Sequence, residues 1–335
     1  MVMTGKSFWS IYAPYISDFI YLKRSLGFKY KEEERLLCSF DRFVLDQGHT
    51  SVVLTKELSD KWAGRHHNEA ELTVYSKVKV VKQLAEYMLD QGIKTYVPQL
   101  PKYPGSTFIP YIYSYEEINA IFRACDSLRM NCRNTYSCIL VMPLLLRLLY
   151  GTGIRISEAL SIENRYVSIS DRCLTIKDTK NRKDRLVPMT DSLTAVCKDY
   201  LEHRDKLPVN GLKRQNRPFL VSLNGGVCTQ TAVYRWFRKI LEIAGIPFTG
   251  NRKGPRIHDL RHTFACHSFV KLSEEGVDLY CSWPYLSTYL GHQSLESTEQ
   301  YIRLTSQMYP ELLRDTDGLY VDILPDVSVT KERQP

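Results

Sequence analysis

The sequence predicts a mainly α-helical protein with one small antiparallel β-sheet, an α+β chain of two domains joined by a proline-rich link. Three observations carry this expectation. Apolar residues recur at helical spacing through most of residues 11–91 and again from residue 114 onward. Between those regions, residues 97–105 hold three prolines and a glycine. Only three short runs rich in β-branched or alternating residues, at 166–169, 173–177 and 185–187, read as strands.

The elements follow in order. Phe19, Leu22, Leu26 and Phe28 precede a charged K-E-E-E-R start at Lys31, after which Leu36, Leu37, Phe40 and Phe43 return at helical spacing until Gly48. Thr55 opens a short helix through Trp62, and a longer one over 69–89 closes at Gly92. These four helices define a first domain, residues 1–97. Its polar face is expected to carry Lys23, Arg24, Lys29, Lys56, Lys61, Lys77 and Lys79 among others. Residues 98–113 form the extended linker.

The second domain, 114–314, starts with a capping pattern in which Ser114 lies three residues before Glu117. A strongly apolar helix over 135–150 stops at Gly151-Thr152-Gly153, and Arg155 to Leu160 opens the next. The last two strands flank a polar, basic turn at 180–184. Helices are then expected over 193–204, 229–243, 257–271 and 284–290, with an extended tail at 315–335. On the helix beginning near residue 257, a turn of about 100° per residue puts Ile257, Leu260 and Phe264 on one apolar side and His258, Arg261 and Ala265 on another.

Composition narrows the function. The chain has 335 residues, 44% hydrophobic and 24% charged, which is ordinary for a soluble globular protein. A net charge of +8 leans toward an anionic partner. Nine cysteines at irregular spacing, with no C-x-x-C pair, fit reduced thiols packed in a cytoplasmic protein. The most apolar run, 139–150, is broken by Pro143 and Arg147 and is shorter than the roughly 20 residues of a membrane span, so it reads as a buried helix. No carboxylate cluster or H-E-x-x-H pattern suggests a metal site, and none is expected.

Taken singly, the polar residues of the second domain have plain explanations: a helix-start ion pair for Arg155, a hairpin lysine for Lys180, a core side chain for Tyr301. Their order is more informative. G-T-G-I-R-I-S-E-A-L at 151–160, K-N-R-K-D-R-L-V-P-M at 180–189, H-D-L-R-H-T-F-A at 258–265 and L-G-H at 290–292, followed by Tyr301, resemble the boxes of the tyrosine recombinase (phage integrase) family. The helical first domain resembles that family's core-binding domain more loosely. The interval of 31 residues from Arg261 to His292, with 274–283 apparently inserted, is closer in character to transposon-borne integrases than to chromosome-dimer resolving enzymes.

The resemblance implies a site-specific recombinase or integrase that cuts and rejoins DNA through a 3′-phosphotyrosine, serving integration or transposition of a mobile element without metal or ATP. Tyr301 would be the nucleophile. Arg155 and Arg261 would clamp the scissile phosphate with their planar forks, each donor contributing a factor of about 10²–10³ in rate. Lys180 would be the general acid toward the 5′-oxygen, His258 an acid/base near the tyrosine, and His292 a donor to the phosphate. Glu158 would orient the arginines, and His262, which points partly off the active face, would be structural. Expected DNA contacts are Lys23, Arg24, Lys77, Arg182, Lys183, Arg252 and Lys253. Implied partners are double-stranded DNA, three further copies in a tetramer assembled on DNA, and helper recombinases or directionality factors. The expected location is cytoplasmic, on the nucleoid when DNA-bound. Two other readings keep the fold: an accessory protein that binds DNA without cutting, and a topoisomerase-like enzyme that nicks and reseals as a monomer.

Overall fold

A computed structural model of the chain describes residues 7–65, 69–105, 109–129, 134–177, 184–248, 250, 254–277, 279–291, 301 and 304. It divides into two compact units, residues 1–108 and 109–335. The architecture is mainly α with a three-stranded antiparallel sheet, as the sequence predicts. Among the described residues no helix is long and apolar enough to cross a membrane.

The first unit contains α1 (Ala13–Ser25), α2 (Lys31–Asp46), α3 (Lys56–Ala63) and α4 (Glu71–Asp90). Thr55 caps α3 by accepting from the backbone N–H of Leu58. The core joins Ile16 and Phe19 of α1, Leu37 and Phe40 of α2, and Val81, Leu84 and Met88 of α4. Leu22, Leu26 and Phe28, read from the sequence as part of the apolar pattern, lie exposed instead.

Lys77 also departs from expectation. It is buried at 4% exposure rather than on the polar face. Its ammonium donates to Glu69 at 2.8 Å and to the Gly64 carbonyl at 3.0 Å, and lies over the Trp62 ring. A charge out of water needs such partners, and having them it is not offered to DNA. Lys23 is half-buried beside the Phe19 ring, and exposed Arg24 pairs with Glu34.

The second unit contains α5 (Tyr115–Asp126), α6 (Met142–Thr152), α7 (Ile156–Ser161), β1 (Val167–Ser168), β2 (Cys173–Ile176), β3 (Arg185–Pro188), α8 (Asp191–Arg204), α9 (Gln230–Ile243), α10 (Asp259–Glu274) and α11 (Leu279–Leu290). The capping box at Ser114 and Glu117 forms. Among the boundaries that differ from the sequence reading, those of three helices bear on the site. The helix expected at 135–150 begins only at Met142, after a 3-10 turn at Ile139–Val141, because Pro143 has no N–H to donate and fits only the first turn. The helix expected at 257–271 runs from Asp259 to Glu274. The one expected at 284–290 starts at Leu279 and carries Pro284 inside it.

α6 is the centre of this unit. Met142, Leu144, Leu145, Leu146, Leu148 and Leu149 are all at 2% exposure or less, each burial being worth about 1.5–3 kcal/mol. α10 and α8 pack against α6. The sheet has strand order β1-β2-β3, with Leu174 opposite Val187 and Ile176 opposite Arg185. Leu174, Ile176 and Val187 face the core. Since strand side chains alternate, Arg185 lies on the same face as Val187. Tyr113, within the stretch read as linker, is fully buried here, donating its N–H to Thr263 and its hydroxyl to the Arg256 carbonyl.

Candidate active site

The site is assembled where the start of α7, the start of α10 and the end of α11 meet. The turn before α7 comes first. α6 ends at Gly153 with φ +61°, a left-handed conformation that costs an L-residue about 1–2 kcal/mol. A Cβ at Gly153 would fall 2.3 Å from the Phe264 ring of α10. Glycine is therefore required twice over, by backbone and by contact. Gly153→Ala is expected to lower stability by at least about 2 kcal/mol, read from denaturant unfolding, and to push Phe264 and its helix off the turn.

That turn delivers Arg155 at the mouth of α7. Glu158 accepts from the Arg155 backbone N–H at 2.9 Å and from its guanidinium at 2.9 Å. The same carboxylate accepts two bonds from Arg185, at 3.2 and 2.7 Å. Burial pushes the Glu158 pKa up. The hydrogen bonds and charge of Arg185, with the Arg155 N–H, outweigh it and hold the group at about 2. Arg155 also donates to the Gly291 carbonyl at 3.3 Å.

Arg261 comes from the first turns of α10 and is 3% exposed. Its two terminal nitrogens donate to the carbonyls of Gly153 at 2.6 Å and Leu290 at 2.8 Å. One guanidinium thus ties the Arg155 turn to the residue two before His292. Burial, then the neighbouring Arg155 charge, lowers its pKa to about 10, so it stays protonated at neutral pH. Asp259, fully buried at the helix start, accepts from the backbone and side chain of Arg256.

His258 keeps an exposed edge. Protein packed around the rest of its ring, and then Arg261, Arg155 and Arg256, lower its pKa to about 4. The ring is therefore neutral at neutral pH.

Tyr301 is buried in a small apolar cluster with Ala265, Cys266 and Phe269 of α10 and Leu286 and Leu290 of α11. Its phenol oxygen lies 2.9 Å from Nδ1 of His262. Burial raises its pKa. The charge of Arg261, its hydrogen bond, and Arg155 pull the other way. On balance the pKa stays raised, so the phenol is protonated at neutral pH with two cations nearby.

Of the residues singled out in the sequence, the structure brings Arg155, Glu158, His258, Arg261 and Tyr301 together. Lys180, Arg182, Lys183, Arg252, Lys253 and His292 lie outside the described residues. Two site residues were missed. His262, read as structural, bonds the Tyr301 hydroxyl because residue 262 sits one turn beyond 258 on α10. Arg185 belongs to the quoted lysine-bearing motif yet was given no role. Its position two residues from Val187 put a charged side chain on the core face, which was the available signal.

Comparison with known proteins fits this geometry. The phage integrase family model matches residues 113–308. A putative integrase/recombinase, y4rB, of Sinorhizobium fredii is 30% identical over 315 residues, covering 92% of this chain and 97% of that protein. In fold, the chain resembles the XerH site-specific recombinase in a post-cleavage complex with its palindromic difH substrate (TM-score 0.61, 17% identity, 92% of this chain and 94% of that one). It also resembles the Tn1549 transposon integrase in complex with a circular intermediate DNA (TM-score 0.59, 16% identity, 86% and 94%). With a family model spanning more than half its length and a relative matched nearly end to end, this chain is a member of the phage integrase family, the tyrosine recombinases.

Proposed function

We propose that this protein is a site-specific recombinase that breaks and rejoins DNA through a covalent 3′-phosphotyrosine at Tyr301, in the integration or transposition of a mobile element. The observation that carries the reading is Tyr301 itself, a phenol packed among apolar side chains with Arg261 and Arg155 close enough to offset part of the rise in pKa that burial causes. Attack by the phenol oxygen on phosphorus forms the O–P bond as the bond to the 5′-oxygen breaks. The phosphodiester energy is kept in the tyrosyl ester, so a 5′-hydroxyl from another strand can reverse the step with no ATP.

Arg155 and Arg261 stabilise the pentavalent transition state, which carries more negative charge than the ground state. Glu158 and Arg185 hold Arg155 in place. The roles of Lys180 as acid toward the 5′-oxygen, of His258 as an acid/base group and of His292 as a phosphate donor rest on the motif resemblance. One site cuts one strand, so exchange between two duplexes takes four copies, assembled on DNA. The circular-intermediate complex of the transposon integrase supports the mobile-element role.

The test is strand transfer. A pool of nicked duplexes of randomised sequence, incubated with the full chain, is expected to yield SDS-resistant protein–DNA adducts and then joints between two duplexes. Adducts without joints point to a monomeric nicking and resealing enzyme. Binding without adducts points to an accessory protein and overturns the proposal. DNA binding is also expected to weaken steeply with salt. If six or more phosphates are neutralised, affinity falls about 10³-fold or more between roughly 50 and 200 mM salt, measured by fluorescence anisotropy.

A further inference from the structure

The proton on Tyr301 must leave when its oxygen attacks, and the structure sets the ring nitrogen of His262 in contact with it. We propose that His262 is a catalytic residue whose Nδ1 takes the tyrosine proton during strand cleavage and returns it during rejoining. This inference rests on the reading of Tyr301 as nucleophile.

The geometry is direct. Nδ1 of His262 and the Tyr301 oxygen are 2.9 Å apart, within the range for proton transfer along a hydrogen bond. Tyr301 is 4% exposed, so bulk water is a poor acceptor for its proton. The groups around His262 divide the labour. His258, four residues earlier at the N-cap of α10, stands perpendicular to it with ring centroids 5.0 Å apart. His258 faces the arginine side of the site, where the protein packed around its ring, and then Arg261, Arg155 and Arg256, lower its proton affinity. That environment suits a phosphate contact better than the acid/base role that the motif resemblance implies for His258. On the other side, the Cys266 thiol reaches the Tyr301 backbone carbonyl at 4.0 Å.

The step balances. In the resting state the phenol O–H donates to a bare Nδ1, the ring proton being on Nε2. As the O–P bond forms and the bond from phosphorus to the 5′-oxygen breaks, the phenol proton passes to Nδ1 and the ring becomes imidazolium. The departing 5′-oxygen takes its proton from a separate acid. In the reverse direction the imidazolium reprotonates the tyrosine as the incoming 5′-oxygen displaces it. No redox partner or co-reactant is involved.

Two measurements test this. In the ¹⁵N-labelled full chain, with His262 assigned by comparison with His262→Asn, Nδ1 is expected to be unprotonated and hydrogen-bonded, and to lose that bond in Tyr301→Phe. A proton resident on Nδ1 overturns the proposal without any DNA. In the adduct assay on the nicked pool, His262→Asn retains a hydrogen-bond partner near the phenol but cannot accept its proton. It is expected to slow cleavage by about 10²-fold or more, and added imidazole should restore part of the rate to His262→Ala. A pool with sulfur in place of the 5′-oxygen, whose leaving group needs no acid, should leave the His262→Asn defect intact. Wild-type rate in His262→Asn, or rescue by sulfur, overturns the role of His262 while leaving Tyr301 as nucleophile. Failure of the wild-type chain itself to form adducts overturns both.

Discussion

Tyr301→Phe is expected to abolish covalent adduct formation on nicked duplexes while leaving the fold intact. The substitution removes one oxygen. Phenylalanine keeps the ring among Ala265, Cys266, Phe269 and Leu290, so the packing energy of that cluster is retained. What is lost structurally is the hydrogen bonding of the phenol oxygen, with His262 and Arg261 among its partners, about 1 kcal/mol for each bond. Loss of a covalent nucleophile, by contrast, costs on the order of 10⁶ in rate where it has been measured in a serine protease. The variant should still bind DNA, since the arginines are untouched. Adducts at wild-type level in Tyr301→Phe would falsify the assignment of the nucleophile.

The second large effect is at Glu158. Glu158→Gln removes the charge that both Arg155 and Arg185 lean on, leaving Arg185, with 12% of its side chain exposed, without that carboxylate. Breaking a buried pair from one side costs about 3–5 kcal/mol. Rate should fall as well, by up to about 10²–10³, because Arg155 loses the carboxylate that orients it. The pH dependence checks the cause. The folded pKa of Glu158, about 2, lies below its ordinary 4.5, so the unfolded chain binds the additional proton first. The stability it supplies is fully present above about 4.5 and is lost as pH falls toward 2. Its size at neutral pH is on the order of 3 kcal/mol. His258 acts in the same sense at higher pH. With its pKa lowered from 6.5 to about 4, its contribution is lost as pH falls through that window. Unfolding midpoints against pH should therefore decline in two stages in the wild-type chain. Glu158→Gln should keep the first stage and lack the second.

How far the site was legible depended on the kind of signal. The capping pattern at Ser114 was readable because capping is local, involving four consecutive residues. The halt of α6 at Gly153 was readable for the same reason, although the contact with Phe264 that forbids a Cβ was not. Lys77 was misplaced because polarity along a helix says which side chains prefer water, not which have found Glu69 and a free carbonyl instead. The contact between His262 and Tyr301 was not legible from the 100° rule. Rotation about the α10 axis correctly separates the side of His262 from that of Arg261, but it carries no information about where residue 301 returns to the helix.

From the sequence alone came the fold class, the family boxes and the order of Arg155, Arg261 and Tyr301, because these reside in short-range patterns of residue type and spacing. Tertiary structure alone decided which histidine meets the phenol, which carboxylate holds two arginines, and how Arg261 joins the carbonyls of Gly153 and Leu290. Those contacts link residues 27 to 108 positions apart or bring separate helices to one point. Such distances are closed by packing of whole elements around α6, and no local pattern encodes the side chain waiting at the other end.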